Sequence, residues 1–200
     1  LTSPARATPG RIAIIGSGSG TTAARVIDAV GAGEIAAEVA VVVGNNSEAG
    51  IFDVARTRGV RTAHLSGVTH PDPDDLDAAM LDVLRAADVD LLVLAGYMKK
   101  LGPRVLGQFQ GAILNVHPAL LPSYGGQGMY GDRVHAAVLA DGTGRTGATV
   151  HHVTAEYDQG PVIAQVEVPV RPDDDVAALR TRVQAAEKAL LVEVIRGRYA

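Results

Sequence analysis

Five short apolar runs, at Arg11–Ile15, Val39–Val43, Val60–Leu65, Asp90–Ala95 and Ala112–Val116, recur along the chain with turn and helix signals between them. Runs of this length bounded by turn residues mark strands buried on both faces, and their alternation with helices favours a mostly parallel sheet covered on both sides. The intervening helices are predicted at Ala49–Arg58, closed by Gly59, and at Pro73–Ala87, where Leu76, Met80, Leu84 and Ala87 fall on one stripe. Gly131–Ala140 predicts a third, with Val134, Val138 and Leu139 inward and His135 at the helix start, as a cap or on the solvent face. Arg145–Thr154 then alternates in polarity, and a short turn separates it from a run at Val162–Val170. Such a pair is antiparallel, so the sheet is mixed at one edge. A long helix from Asp174, capped in an acidic first turn, closes the chain, with Val176, Leu179, Val183, Ala186 and Leu190 at helical spacing. The expected fold class is therefore α/β: a Rossmann-like sheet, mostly parallel, with an antiparallel edge and helices on both faces. With 47% apolar residues the chain can fill one sizeable core, and a single domain over residues 1–200 is expected, preceded by a loose arm at 1–10.

Several segments carry chemistry. In Asn115-Val116-His117-Pro118 the amide and the imidazole stand two residues apart, so in extended backbone they point the same way, toward the carboxyl end of a buried strand where open α/β sheets bind ligands. An amide N–H can meet a developing oxyanion, and an imidazole can move a proton near neutrality. By itself the pair could equally be a strand-end cap and a packed histidine. Gly18, Ser19, Gly20, Thr21 and Thr22 form a glycine-rich turn ahead of a helix, whose free N–H groups suit an anion. It lacks the P-loop lysine, and the second strand ends in Gly44-Asn45-Asn46 without the acid that a dinucleotide ribose requires, so a phosphomonoester is favoured over NAD. Gly96–Pro103 holds Tyr97, Met98, Lys99, Lys100 and Leu101 in a glycine-bounded loop able to take a flat ring, or to be an ordinary connection. Of His151 and His152 only one can face the site, and the turn Glu156–Pro161 can hold Asp158 toward an imidazole. Pro122–Gly131, with four glycines and two tyrosines, has the composition of a lid.

The bulk numbers narrow the partners. A net charge of -4 argues against nucleic acid, which attracts basic fields, and no apolar run reaches the length of a membrane span. The absence of cysteine excludes disulfides, thiolate metal sites and a cysteine nucleophile, and suits a cytoplasmic location.

The combination of Asn115-Val116-His117-Pro118, Leu120-Leu121-Pro122 and Asp158-Gln159-Gly160-Pro161 resembles the folate-dependent formyltransferases, and within them the branch acting on a phosphoribosylated glycinamide in de novo purine (IMP) synthesis. The similarity runs from Ile12 to about Ile195 and includes the 18–22 turn, Val93–Met98, Gly126–Gly131, Gly147–His151 and Arg182-Val183-Gln184 with Glu187. It implies transfer of the formyl group of 10-formyltetrahydrofolate, a co-substrate, to the amine of N1-(5-phosphoribosyl)glycinamide, with no metal. It further implies Asn115, His117 and Asp158 as the catalytic trio, and Gly18, Ser19, Gly20, Thr21, Thr22, Gln184 and Glu187 as substrate-binding residues. Folate would contact Met98, Lys99, Lys100, Leu101, Asn115, Thr154, Ala155, Glu156, Tyr157 and Asp158, while Thr149 and His151 line the cavity in support. Small molecules are the implied partners, and a homodimer is compatible with the pattern.

The resemblance has departures. His70–Asp74 holds no basic residue where the family often has a folate-binding arginine, and Thr22 stands where an asparagine is common. Three rival functions share parts of this pattern. A formyltransferase acting on methionyl-tRNA would need a further basic domain, and a formyltetrahydrofolate hydrolase normally carries a regulatory domain in front, for which the arm before Ile12 is too short. A noncatalytic Rossmann-type phosphate-binding module is the third. Zinc held by His117, His151 and Asp158 competes with the metal-free trio, although the three lack a short helical ligand spacing.

Overall fold

The computed structural model describes residues 9–200. Its strands and helices follow one another as β1 (Gly10–Gly16), α1 (Thr21–Gly31), β2 (Ala37–Gly44), α2 (Gly50–Thr57), β3 (Thr62–His64), α3 (Pro73–Ala86), β4 (Leu91–Leu94) and α4 (Pro103–Gln108). They continue as β5 (Ile113–His117), α5 (Asp132–Ala140), β6 (Arg145–His152), β7 (Val162–Pro169) and α6 (Val176–Arg198). One seven-stranded sheet has the order β3-β2-β1-β4-β5-β6-β7. Pairings through β5 are parallel, and β5 with β6 and β6 with β7 are antiparallel, as the sequence pattern predicts.

Side-chain alternation along the strands divides the core between two helical layers. Ile12 and Ile14 of β1 point into a cluster with α1, α2 and α6, whereas Ala13 and Ile15 point into a cluster with α3 and α4. A fully buried isoleucine or leucine contributes about 1.5–3 kcal/mol, whereas solvent screens exposed ion pairs such as Arg25 with Glu34. Those two clusters, rather than surface charge, hold the sheet. After β3 the chain crosses back over β1 to lay down β4, and the crevice beyond their carboxyl ends is the place where an open α/β sheet takes ligands.

Several sequence expectations are corrected in detail. Gly10 belongs to β1, not to an arm, and positions 1–8 of the expected arm lie outside the described residues. The third strand is Thr62–His64, shorter than the expected run, with the Arg61 carbonyl and the Leu65 N–H still bonded to β2 at its ends. Asp175, not Asp174, caps α6 by accepting the Ala178 N–H at 2.7 Å; Asp174 instead pairs with Arg182. The helix α4 was not foreseen, being only six residues long. Its N-terminus is held by buried Asp77, which accepts N–H bonds from Arg104 and Val105 at 2.7 and 3.2 Å. Among the described residues no helix is long and apolar enough to cross a membrane.

Candidate active site

At the switch point, β1 runs into Gly16–Gly20 and α1 begins. Gly20 has φ +78°, and a Cβ there would sit 2.6 Å from the Ile51 Cα, so both conformation and space demand glycine. No side chain caps α1 and no acid occupies its first turn, so the N–H groups at its start remain available to an anion. The next loop is tied to this one: Ser17 Oγ accepts the Met98 N–H at 3.0 Å, and the Ser17 N–H reaches the Gly96 carbonyl at 3.2 Å. Gly18 through Thr22 all line a cavity of about 570 Å³, as do Met98, Asn115, His117, Asp158, Gln184 and Glu187.

Antiparallel pairing brings the polar cluster together. Asn115 of β5 lies opposite His151 of β6, and His117 opposite Thr149. The His151 Nδ1–H donates to the His152 carbonyl at 2.9 Å, which leaves Nε2 to accept from Asn115 Nδ2 at 3.1 Å. One amide N–H of Asn115 is thereby fixed and the other left for the cavity. The His117 Nε2–H donates to the Tyr124 carbonyl at 2.7 Å. Asp158 enters from the turn after β6 in a left-handed conformation, φ +56°, which an aspartate tolerates but few other side chains do. Its carboxylate oxygens lie 3.5 Å from His117 Nδ1 and 3.5 Å from His151 Nε2, and it accepts the Gly126 N–H at 2.9 Å. Gly160 closes that turn, where a Cβ would collide with the His152 carbonyl oxygen.

These contacts set the ionisation. For Asp158, burial works to raise the pKa, but the His151 and His117 rings beside it and the Gly126 N–H outweigh it and hold the carboxyl below its ordinary value. The His117 ring is held below its ordinary value, although Asp158 lies beside it. Burial lowers its pKa, and the charge of Asp158 and the Tyr124 carbonyl do not fully offset that, because the residue is only 4% exposed. Glu187, on the opposite wall, is pushed by burial up to about 7, with Lys188 opposing.

A second, smaller recess of about 60 Å³ adjoins the first, lined by Lys99, Lys100, Leu101, His151 and the Thr154–Asp158 turn. Lys100 Nζ lies 5.0 Å above the Tyr157 ring and 3.5 Å from Glu156 across its mouth. Asn115 and Asp158 border both spaces. Among the described residues no group of three His, Cys, Asp or Glu side chains is arranged to hold a metal ion.

Two expectations need correction here. Thr149 lines neither space: it is wholly buried, donating to the Ala119 carbonyl at 2.7 Å and accepting from the Leu121 N–H and from Gln165. It supports the site by pinning the loop that follows His117. His135 is neither cap nor solvent-facing but 2% exposed on the wall of the larger cavity. Sequence reasoning also missed Arg133 and Arg180 on that wall, because each lies off the apolar stripe of its helix and reads as an ordinary surface charge.

The model of the formyl transferase family matches residues 10–195. The chain is similar to the chloroplastic phosphoribosylglycinamide formyltransferase of Vigna unguiculata, 37% identical over 186 residues, covering 92% of this chain and 59% of that protein. Against the Arabidopsis thaliana counterpart it spans 64% of the relative's length, so it covers less than two thirds of both plant proteins. It is 38% identical over 187 residues to phosphoribosylglycinamide formyltransferase of Mycobacterium tuberculosis, covering 94% of this chain and 84% of that one. Among solved structures, glycinamide ribonucleotide transformylase 1 from Symbiobacterium toebii superposes with a TM-score of 0.89 at 37% identity, covering 98% of this chain and 90% of that one.

Proposed function

Because the chain belongs to the formyl transferase family, we propose that it is a phosphoribosylglycinamide formyltransferase, moving the formyl group of 10-formyltetrahydrofolate to the amine of N1-(5-phosphoribosyl)glycinamide in purine synthesis. The observation that carries this reading is the position of Asn115 and Asp158, which border both the larger cavity and the smaller recess. Transfer between two small molecules needs polar groups at such a junction. The phosphate would rest on the N–H groups of Gly18 to Thr22, and the ribose would face Gln184 and Glu187. The pterin would enter the recess between Met98–Leu101 and Thr154–Asp158. At about 60 Å³ that recess is narrow, so the side chains of Tyr157 and Lys100, both on the surface, swing aside on folate entry.

The amine nitrogen attacks the formyl carbon, giving a tetrahedral centre with an anionic oxygen and a positively charged nitrogen. The free amide N–H of Asn115 meets the oxygen, a contact strongest in the transition state. One proton must leave the attacking nitrogen and one must reach N10 of the folate as its bond to carbon breaks. His117 carries that proton, resting neutral because it is buried and stabilised as imidazolium by Asp158 once charged. The Tyr124 carbonyl holds His117 Nε2, and the 122–131 loop gives up that contact when the ring turns to substrate. No metal is needed in this scheme, the two substrates are the partners, and the cytoplasm is the setting. Residues 1–200 act as one domain.

The test is an ultraviolet folate assay offering glycinamide ribonucleotide, methionyl-tRNA and water as competing acceptors. Turnover with the ribonucleotide alone is expected. Turnover that persists unchanged with water alone would replace this function with hydrolysis, and dependence on tRNA would replace it with tRNA formylation.

A further inference from the structure

We propose that His135 is a substrate-binding residue whose Nε2–H donates a hydrogen bond to the amide carbonyl oxygen of the glycinamide, between the reacting amine and the ribose. The inference rests on the function proposed above and extends it to a residue assigned no role there. His135 stands one turn into α5, is 2% exposed, and borders the larger cavity. Its Nδ1 is buried among protein atoms with no hydrogen-bond partner. A buried N–H without an acceptor costs more than it returns, so the proton belongs on Nε2, the nitrogen on the cavity side. Burial, opposed by Asp132 and reinforced by Arg180 and His117, lowers the pKa and keeps the ring neutral. The result is an uncharged N–H donor, suited to a carbonyl oxygen rather than to a cation.

Location narrows the acceptor. His135 shares the wall of the larger cavity with His117 and with Arg180, Gln184 and Glu187 of α6, and Arg180 is bonded to Asp132 in the turn before it, which puts the ring between the polar cluster and α6. With the amine at Asn115 and the ribose oxygens placed against Gln184 and Glu187 of α6, the acceptor next to the amine is the amide carbonyl. The neighbouring cations are otherwise engaged: Arg180 holds both Asp132 oxygens at 2.9 and 3.0 Å, and Arg133 lies 5.0 Å over the Tyr130 ring.

Nitrogen-15 NMR of histidine-labelled wild-type protein tests this without a substitution. The His135 Nε2 resonance is expected to move on adding glycinamide ribonucleotide and to stay in place with ribose 5-phosphate, which lacks the carbonyl. Kinetics provide the second arm. His135→Leu should raise the KM for glycinamide ribonucleotide about tenfold and leave the KM for 10-formyltetrahydrofolate unchanged, while His135→Gln, which restores an N–H, should recover most of the loss. Binding and turnover by the wild type with an unmoved His135 signal would overturn this proposal alone, as would an equal response to ribose 5-phosphate. Absence of both binding and turnover in the wild type would overturn the proposed function with it.

Discussion

The two ends of the larger cavity are built by different means. At the Gly18–Thr22 end the donors are backbone N–H groups, fixed by one stretch of sequence and by a glycine whose φ of +78° admits no ordinary side chain. At the Asn115 end the working groups are side chains from β5, β6 and the turn after β6, held at 3.1 to 3.5 Å from one another. A backbone site keeps its charge at every pH and loses function only when the chain path changes. A side-chain cluster titrates, and one atom removed from it can stop the chemistry while binding persists.

The comparison breaks most visibly at His117. Replacing it with Ala should lower kcat about 1,000-fold while the KM for glycinamide ribonucleotide stays within about threefold, measured by steady-state folate absorbance. A matched loss in KM would merge the two ends into one. The pH profile sharpens the same point. If neutral His117 takes the proton, activity rises as pH climbs through a value below the ordinary imidazole range. Asp158→Asn removes a charge that favours imidazolium, so the acid limb of the residual activity should move to still lower pH.

His151→Phe comes next in size. It leaves the Asn115 amide without its cross-strand partner, and kcat is expected to fall about tenfold to 100-fold with little change in either KM. His151→Gln, which keeps an acceptor, should lose less.

At the other end Gly20→Ala should act through binding and stability. The new Cβ meets Ile51 and the left-handed backbone resists alanine, so thermal unfolding should show a loss of about 1–3 kcal/mol and the ribonucleotide KM should rise more than kcat falls.

Glu187 changes how stability depends on pH. Its folded pKa, raised to about 7, lies above the unfolded value of 4.5. The folded state therefore binds the proton more tightly, and stability from this group is complete below pH 4.5 and is lost as pH rises to about 7. Glu187→Gln should flatten that decline, by at most about 3 kcal/mol between pH 4.5 and 8 in denaturant titrations.

Legibility in the sequence follows the same division. The apolar runs predict the strands because parallel strands are buried on both faces, and the 18–22 turn is readable because its function lies in contiguous glycines. The Asn115–His117 pair is visible through its two-residue spacing, but only a resemblance across the chain links it to Asp158, since antiparallel register between β5 and β6 cannot be read from composition. His135 escapes because a polar residue early in a helix looks like a cap until the cavity beside it is seen. Thr149 sits in a strand face that points to the site, yet its hydroxyl is consumed by Ala119, Leu121 and Gln165, a contact set assembled by a loop.

The central claim is that one polar junction serves both spaces at once. The direct measurement is calorimetric binding of an adduct in which the glycinamide nitrogen and N10 of a folate analogue are joined through one carbon bearing a hydroxyl. Binding at least about 100-fold tighter than either half alone is predicted, with the advantage abolished in Asn115→Ala. An adduct that binds no better than its stronger half would mean that the two spaces are not occupied together, and the account of transfer at Asn115, His117 and Asp158 would be contradicted.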